Sequence, residues 1–207
     1  MLNIEHFALT IGKSRSMVID RIEIANGQKV LFFGDNKIGK SLFLQAIHGR
    51  NSKYAGTIQY KGKSSYFKKK EGSILLEIAS HVISEETLWN NITIPFDKIS
   101  KRQKIKIFEL LKLVVLNHKI GLKQAELSFS ETKMLELIRA VMQLPHLILI
   151  DDLDVYFDDK NYLKIMDILQ YAIGNGTTVI ATAKRKLEYF DEYYREQDKK
   201  IVKLEQA

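Results

Sequence analysis

The chain of 207 residues contains no cysteine and only two prolines, Pro95 and Pro145. Without cysteine there can be no disulfide, no thiolate metal site and no thiol nucleophile. With so few prolines and no low-complexity stretch, nothing divides the chain into linked units, and no internal repeat is visible. Long apolar runs are also missing. The longest block, Leu147-Ile148-Leu149-Ile150, falls far short of the roughly 20 residues that span a bilayer and has the length of a buried strand. The opening residues, Met1 to His6, lack a basic stretch leading into an apolar core, so no signal peptide is expected. Any membrane role is therefore expected to be peripheral and made through a partner, on the cytoplasmic side.

What remains is an ordinary globular composition, 45% hydrophobic and 28% charged, with a net charge of +7. Much of the basic excess lies between Lys61 and Lys70 and at Lys199-Lys200. Neither stretch interleaves aromatic residues and arginine as a nucleic-acid surface would, so nucleic acid is not the expected partner. The five histidines, His6, His48, His81, His118 and His146, show no metal-ligand spacing.

The hydrophobic pattern changes period along the chain. Leu2/Ile4, Ile19–Ile24 and Val30–Phe33 read as strands, Ser41–Gly49 as a short helix, and Gly56–Gly62 as a strand ending in a turn. From about Glu85 to Val141 the period is helical. Lys101–Leu116 is expected to place Ile105, Phe108, Leu111 and Val115 on its inner face, and a second amphipathic helix runs from Glu131 to Met142. Strands return at Leu147–Ile150 and Thr178–Thr182 around a helix near Tyr162–Ala172, and Lys200–Leu204 closes the chain. This order predicts an α/β fold with a mostly parallel sheet, an antiparallel N-terminal β subdomain and an inserted helical subdomain over about 78–142, all in a single domain spanning 1–207.

Gly34-Asp35-Asn36-Lys37-Ile38-Gly39-Lys40-Ser41 matches G-x-x-x-x-G-K-[ST] at every fixed position, with an apolar strand before it and a helix after it. The glycines let backbone N–H groups close around phosphate oxygens at a helix N-terminus. In such a loop Lys40 reaches the β- and γ-phosphates and Ser41 ligates Mg²⁺. Leu147–Ile150 then ends in Asp151-Asp152, the apolar strand with a terminal carboxylate that holds the metal in P-loop NTPases.

With these two motifs in place, nearly the whole chain resembles the nucleotide-binding domains of ABC transporters, closest in look to the small ATPases of the FtsE, LolD and MacB group. Leu127-Ser128-Phe129-Ser130-Glu131 stands where that family carries its LSGGQ or LSGGE signature. The separation of Ser128 from Asp151, 151 − 128 = 23 residues, matches the family's spacing. Arg139-Ala140-Val141 falls on the A-R-A stretch, Phe157-Asp158 on the end of the D-loop, and Gly56–Gly62 on the strand after the P-loop helix. Thr87–Phe96 is similar to the segment that receives a transmembrane subunit, with Trp89 and Phe96 either as apolar anchors for it or packed inside the helical lobe.

The resemblance implies a homodimer or heterodimer that sandwiches ATP with Mg²⁺ and works on an integral membrane, permease-like subunit. The binding set would be Gly34, Asp35, Asn36, Lys37, Ile38, Gly39, Lys40, Ser41 and Leu42, with Ser128 contacting the γ-phosphate from across the interface. Ser41 and Asp151 would hold the metal. An N-capping role for Ser128 with Glu131 as capping box is compatible with this.

Several positions depart from the pattern. Phe129 and Ser130 replace the signature glycines, Asp152 replaces the general-base glutamate, and Lys184 stands at the switch histidine. Glu77 is the weak counterpart of the Q-loop glutamine, and Ile11 that of the adenine-stacking aromatic. Binding groups are thus present, while Asp152 and Lys184, the catalytic pair, predict slow turnover. The alternatives are a nucleotide-binding switch that hardly hydrolyses ATP and, less favoured, a soluble ABC-type ATPase acting on nucleic acid.

Overall fold

The computed structural model describes residues 1–11, 14–35, 38–62, 72–157 and 159–204. Asn36 and Lys37 of the phosphate loop, most of the basic stretch up to Lys70, and Asp158 lie outside the described residues.

Strands β1 (Leu2–Ile11), β2 (Ser14–Ile24) and β4 (Tyr54–Tyr60) form an antiparallel arm, with β1 between its two partners. The arm has one tight point. Gly56 at φ +90° packs so closely on β1 that a Cβ there would lie 2.3 Å from the His6 carbonyl oxygen, where the β1–β4 register slips between Glu5 and Ala8.

The parallel core is built from β3 (Lys29–Phe33), β5 (Ser73–Leu76), β6 (Leu147–Ile150), β7 (Thr178–Ala183) and β8 (Glu192–Gln197). A final strand, β9 (Lys200–Lys203), pairs antiparallel with β8 and touches β2 through Val18 and Lys200. Among the described residues the nine strands form one sheet in the order β4-β1-β2-β9-β8-β3-β7-β6-β5.

The core strands alternate between two hydrophobic clusters because successive side chains leave a strand on opposite faces. Ile148, Ile150, Leu31, Val179 and Ala181 join one cluster with the helices α3 (Lys101–Leu113), α4 (Phe129–Met142) and α5 (Asp159–Gly174). Leu147, Leu149, Val30, Phe32 and Ile180 face the other way, onto α1 (Lys40–Ile47) and the antiparallel arm. Both faces are covered, as a parallel sheet requires.

Helices α2 (Leu88–Thr93), α3 and α4 all fall between β5 and β6. No helix among the described residues is long and apolar enough to cross a membrane.

The inner face of α3 differs from the expected one. Ile105, Phe108 and Val115 are 52%, 42% and 56% exposed, and only Leu111 of the expected four is buried. Ile107, Leu110, Leu111 and Val114 fill the core instead, an i, i+3, i+4, i+7 stripe that competes with the first in a segment apolar on two sides. The helix also ends at Leu113, so Val115 lies beyond it at φ 62°. Strands β5 and β8 were not legible in the pattern, one being four residues long and the other mostly polar.

Candidate phosphate-binding site

The site lies where the parallel strands end. Phe33 pairs with Ala183 and Ile150 with Ala181, while Leu76 pairs with Ile150. The residues after each strand (Gly34, Lys184, Asp151 and Glu77) therefore emerge along one edge, the position where open α/β sheets receive ligands.

Gly34 and Gly39 take φ of 153° and 99°, values that glycine tolerates best. Gly39 is the N-cap of α1, and its carbonyl accepts the Phe43 N–H at 2.9 Å. Lys40 is buried, and its Nζ donates to the carbonyls of Gly34 at 2.8 Å and Asp35 at 3.0 Å. The ammonium thus ties the start of the loop to α1. Asp35 is exposed, Ile38, Ser41 and Leu42 are half-buried, and Ile38 and Leu42 pack on the core beneath.

Asp151 is buried, and its N–H donates to the Leu76 carbonyl at 2.9 Å. Its Oδ1 accepts from Thr182 Oγ1 at 2.8 Å, and the same Oγ1 accepts the Asp152 N–H at 2.8 Å. Thr182 was read only as part of a strand, since nothing in a β-branched strand residue signals that its hydroxyl serves two aspartates. Asp152 occupies the left-handed region at φ 46°, ψ 55°, strain of the kind that gathers at functional sites. Burial and the neighbouring Asp151 charge push the Asp152 carboxyl above its ordinary value, while Lys40 and Lys184 oppose this. Lys184 is exposed, and its N–H donates to Asp154 Oδ2 at 3.1 Å.

The donor set fits a hard divalent cation. The Asp151 carboxylate and the Ser41 hydroxyl would supply oxygen ligands, and the mutual charge of Asp151 and Asp152 would be relieved by a cation.

Glu77 follows β5 directly and is held from α1, accepting from Gln45 Nε2 at 3.0 Å and pairing with Arg50 at 2.7 Å. Burial, the largest influence, raises its carboxyl, but the Gln45 hydrogen bond, Arg50 and His81 together leave it below its ordinary value. Ile11 closes β1.

Ser128 is the N-cap of α4. Its Oγ accepts the Glu131 N–H at 3.3 Å, and a Glu131 oxygen accepts the Ser128 N–H at 3.0 Å. Both Ser128 and Phe129 are exposed, and the Phe129 ring stands edge-on to Tyr156. Among the described residues the hydrogen bonds of Ser128 lie within 128–132, and none joins it to the described part of the phosphate loop.

Thr87 caps α2, and Trp89 and Phe96 pack partly buried on the core, Trp89 with its ring 5.5 Å from Phe108. Ile94 is 52% exposed instead, and Pro95 lines a groove of about 550 Å³ with Arg50, His81 and Arg139.

The comparisons agree with this geometry. The model of the ABC transporter family matches residues 20–154. The lipoprotein-releasing system ATP-binding protein LolD of Francisella tularensis is 29% identical over 181 positions, 80% of this chain and 78% of its own. The cell division ATP-binding protein FtsE of Streptococcus pneumoniae is 24% identical, covering 77% and 74%. Among solved structures, a nucleotide-free ATP-binding cassette from an ABC transporter superposes with a TM-score of 0.77 at 21% identity, over 98% of this chain and 89% of that one. The cbiO1 protein of Clostridium perfringens gives 0.79 at 17% identity, over 97% and 86%.

Proposed function

The chain belongs to the ABC transporter ATP-binding family, and on that premise we propose that it binds Mg-ATP at residues 34–42 and couples binding and slow hydrolysis to a transmembrane, permease-like partner. The observation that carries this reading is the convergence of Lys40, Asp151, Asp152 and Lys184 at the carboxyl edge of the sheet, with Lys40 and Lys184 both acting on the Asp152 carboxyl.

In this reading Lys40 trades the carbonyls of Gly34 and Asp35 for the β- and γ-phosphates, and the backbone N–H groups of the loop hold the remaining oxygens. Ser41 and Asp151 would hold Mg²⁺, which when bound would supply positive charge to offset that of the phosphates. Asp152, its carboxyl raised by burial and Asp151, takes the proton of the attacking water, a role favoured by a raised carboxyl. Lys184 supplies the contact to the γ-phosphate. Ser128 meets the nucleotide of a second subunit, so the working unit is a dimer, homo- or heteromeric. The partner keeps the protein at the cytoplasmic face of a membrane. Because Trp89 and Phe96 are packed inward, the partner is met by Ile94, Pro95 and the groove holding Arg50 and Arg139. The exposed Phe129 at the start of α4 favours a second reading, a switch that binds ATP and scarcely hydrolyses it.

The test is calorimetry with Mg-ATP. Lys40→Ala loses charged contacts worth roughly 3 kcal/mol, so affinity falls about 100-fold or more, while circular dichroism stays unchanged. Wild-type affinity in that variant would remove the basis of the proposal.

A further inference from the structure

Lys133 and Glu136 form the one ion pair among the described residues in which both side chains are nearly sealed from solvent, at 1% and 2% exposure and 2.7 Å apart. Lys133 Nζ also donates to the Glu77 carbonyl at 2.6 Å, while lying 5.2 Å from the Tyr156 ring centre. Glu136 Oε1 accepts from Ser80 Oγ at 2.9 Å and from the His81 N–H at 2.7 Å. One helical turn further on, Arg139 donates to the His81 carbonyl at 3.1 Å. Residues 77–81 belong to no strand or helix, and α4 supplies backbone partners that a ladder would otherwise provide.

A buried ion pair adds little net stability over an apolar pair of similar shape, because desolvation offsets the attraction. What such a pair does supply is direction. It satisfies named groups at named angles, and it is intolerant of slippage because a lost partner leaves a buried charge. Here the pair lies on a path with two ends. Glu77 follows Leu76, whose carbonyl takes the Asp151 N–H. Helix α4 begins at the Ser128 cap.

We propose that Lys133 and Glu136 are positioning residues that lock segment 77–81 to helix α4, so that nucleotide arrival beside Asp151 moves the α4 N-terminus with it. The inference rests on the Mg-ATP reading above. The pair touches no phosphate ligand and therefore acts on the transmission of binding rather than on binding.

The experiment is hydrogen exchange by mass spectrometry on the full chain, with and without Mg-ATP, following peptides over 77–81 and 128–142. Wild type should show slower exchange in both segments when nucleotide is added. Lys133→Met/Glu136→Leu replaces the pair with apolar side chains, and Glu136→Ala removes the acceptor for Ser80 and His81. In both variants the affinity for Mg-ATP should stay within about twofold of wild type, segment 77–81 should still respond, and 128–142 should not. If the double variant fails to fold, Glu136→Ala carries the test. A full α4 response in a folded variant, or no α4 response in a wild type that binds Mg-ATP, overturns the proposal. Failure of wild type to bind Mg-ATP in calorimetry would instead overturn the underlying reading.

Discussion

Thr182 Oγ1 donates to Asp151 Oδ1 at 2.8 Å across the boundary between β7 and β6. Through the same oxygen it accepts the Asp152 N–H, so one hydroxyl orients the carboxylate proposed for the metal and the backbone of the residue proposed as base. Thr182→Val keeps the shape and deletes that hydroxyl. A hydrogen bond to a charged group is worth about 1.5–3 kcal/mol, so denaturant unfolding should show a loss in that range. Magnesium-dependent ATP affinity should weaken in parallel, measured by titrating Mg²⁺ at fixed nucleotide. Unchanged stability and affinity would show that the Thr182 bond orients nothing.

Turnover should be slow, well below the enzyme median of roughly 10 s⁻¹, since Asp152 has a shorter stem than glutamate and must reach the same water. Asp152→Glu should raise phosphate release by about tenfold or more, a fraction of the roughly 10²–10⁴-fold that acid–base catalysis supplies. Adding Lys184→His should raise it again. If the unmodified protein turns over briskly and Lys184→Ala abolishes this, the lysine is a competent replacement for histidine.

Gly56→Ala places a Cβ 2.3 Å from the His6 carbonyl oxygen at φ +90°. The strained backbone and the clash should together remove about 2–4 kcal/mol of stability, read as a lower urea midpoint with little change in slope. Nucleotide affinity, set at the far edge of the sheet, should change little in the folded fraction. A midpoint equal to wild type would mean that β1 and β4 are not so closely spaced.

Acid should weaken the fold through Glu77. Its carboxyl lies below the ordinary value in the folded chain, so its contribution is present above the unfolded value near 4.5 and is lost as pH falls through the lower folded value. Thermal melts between pH 6 and 3 should therefore fall more steeply for wild type than for Glu77→Gln. Parallel curves would remove the Arg50–Glu77 pair from the acid response.

The linear order of residues determined the phosphate loop, because glycines at Gly34 and Gly39 with Lys40 between strand and helix are local requirements readable at fixed spacing. It determined the parallel α/β class, since fully apolar strands such as Leu147–Ile150 need cover on both faces. Asp151 and Asp152 were legible for the same reason, as charges at the end of such a strand. Other features were decided by tertiary contacts alone. Which stripe of α3 turned inward depended on what α4 and the sheet offered to two competing apolar faces. Strand β8 formed because β3 and β9 flank it, and Tyr193 and Tyr194 are buried there despite the charges around them. Trp89 and Phe96 suit docking and packing equally in the sequence, and in the fold both lie partly buried against the core. The double role of Thr182 and the hold of Lys133 on the Glu77 carbonyl join residues to partners about 30 and 56 positions away. A side chain's partner across such distances is set by how the strands and helices pack, and no local pattern encodes it.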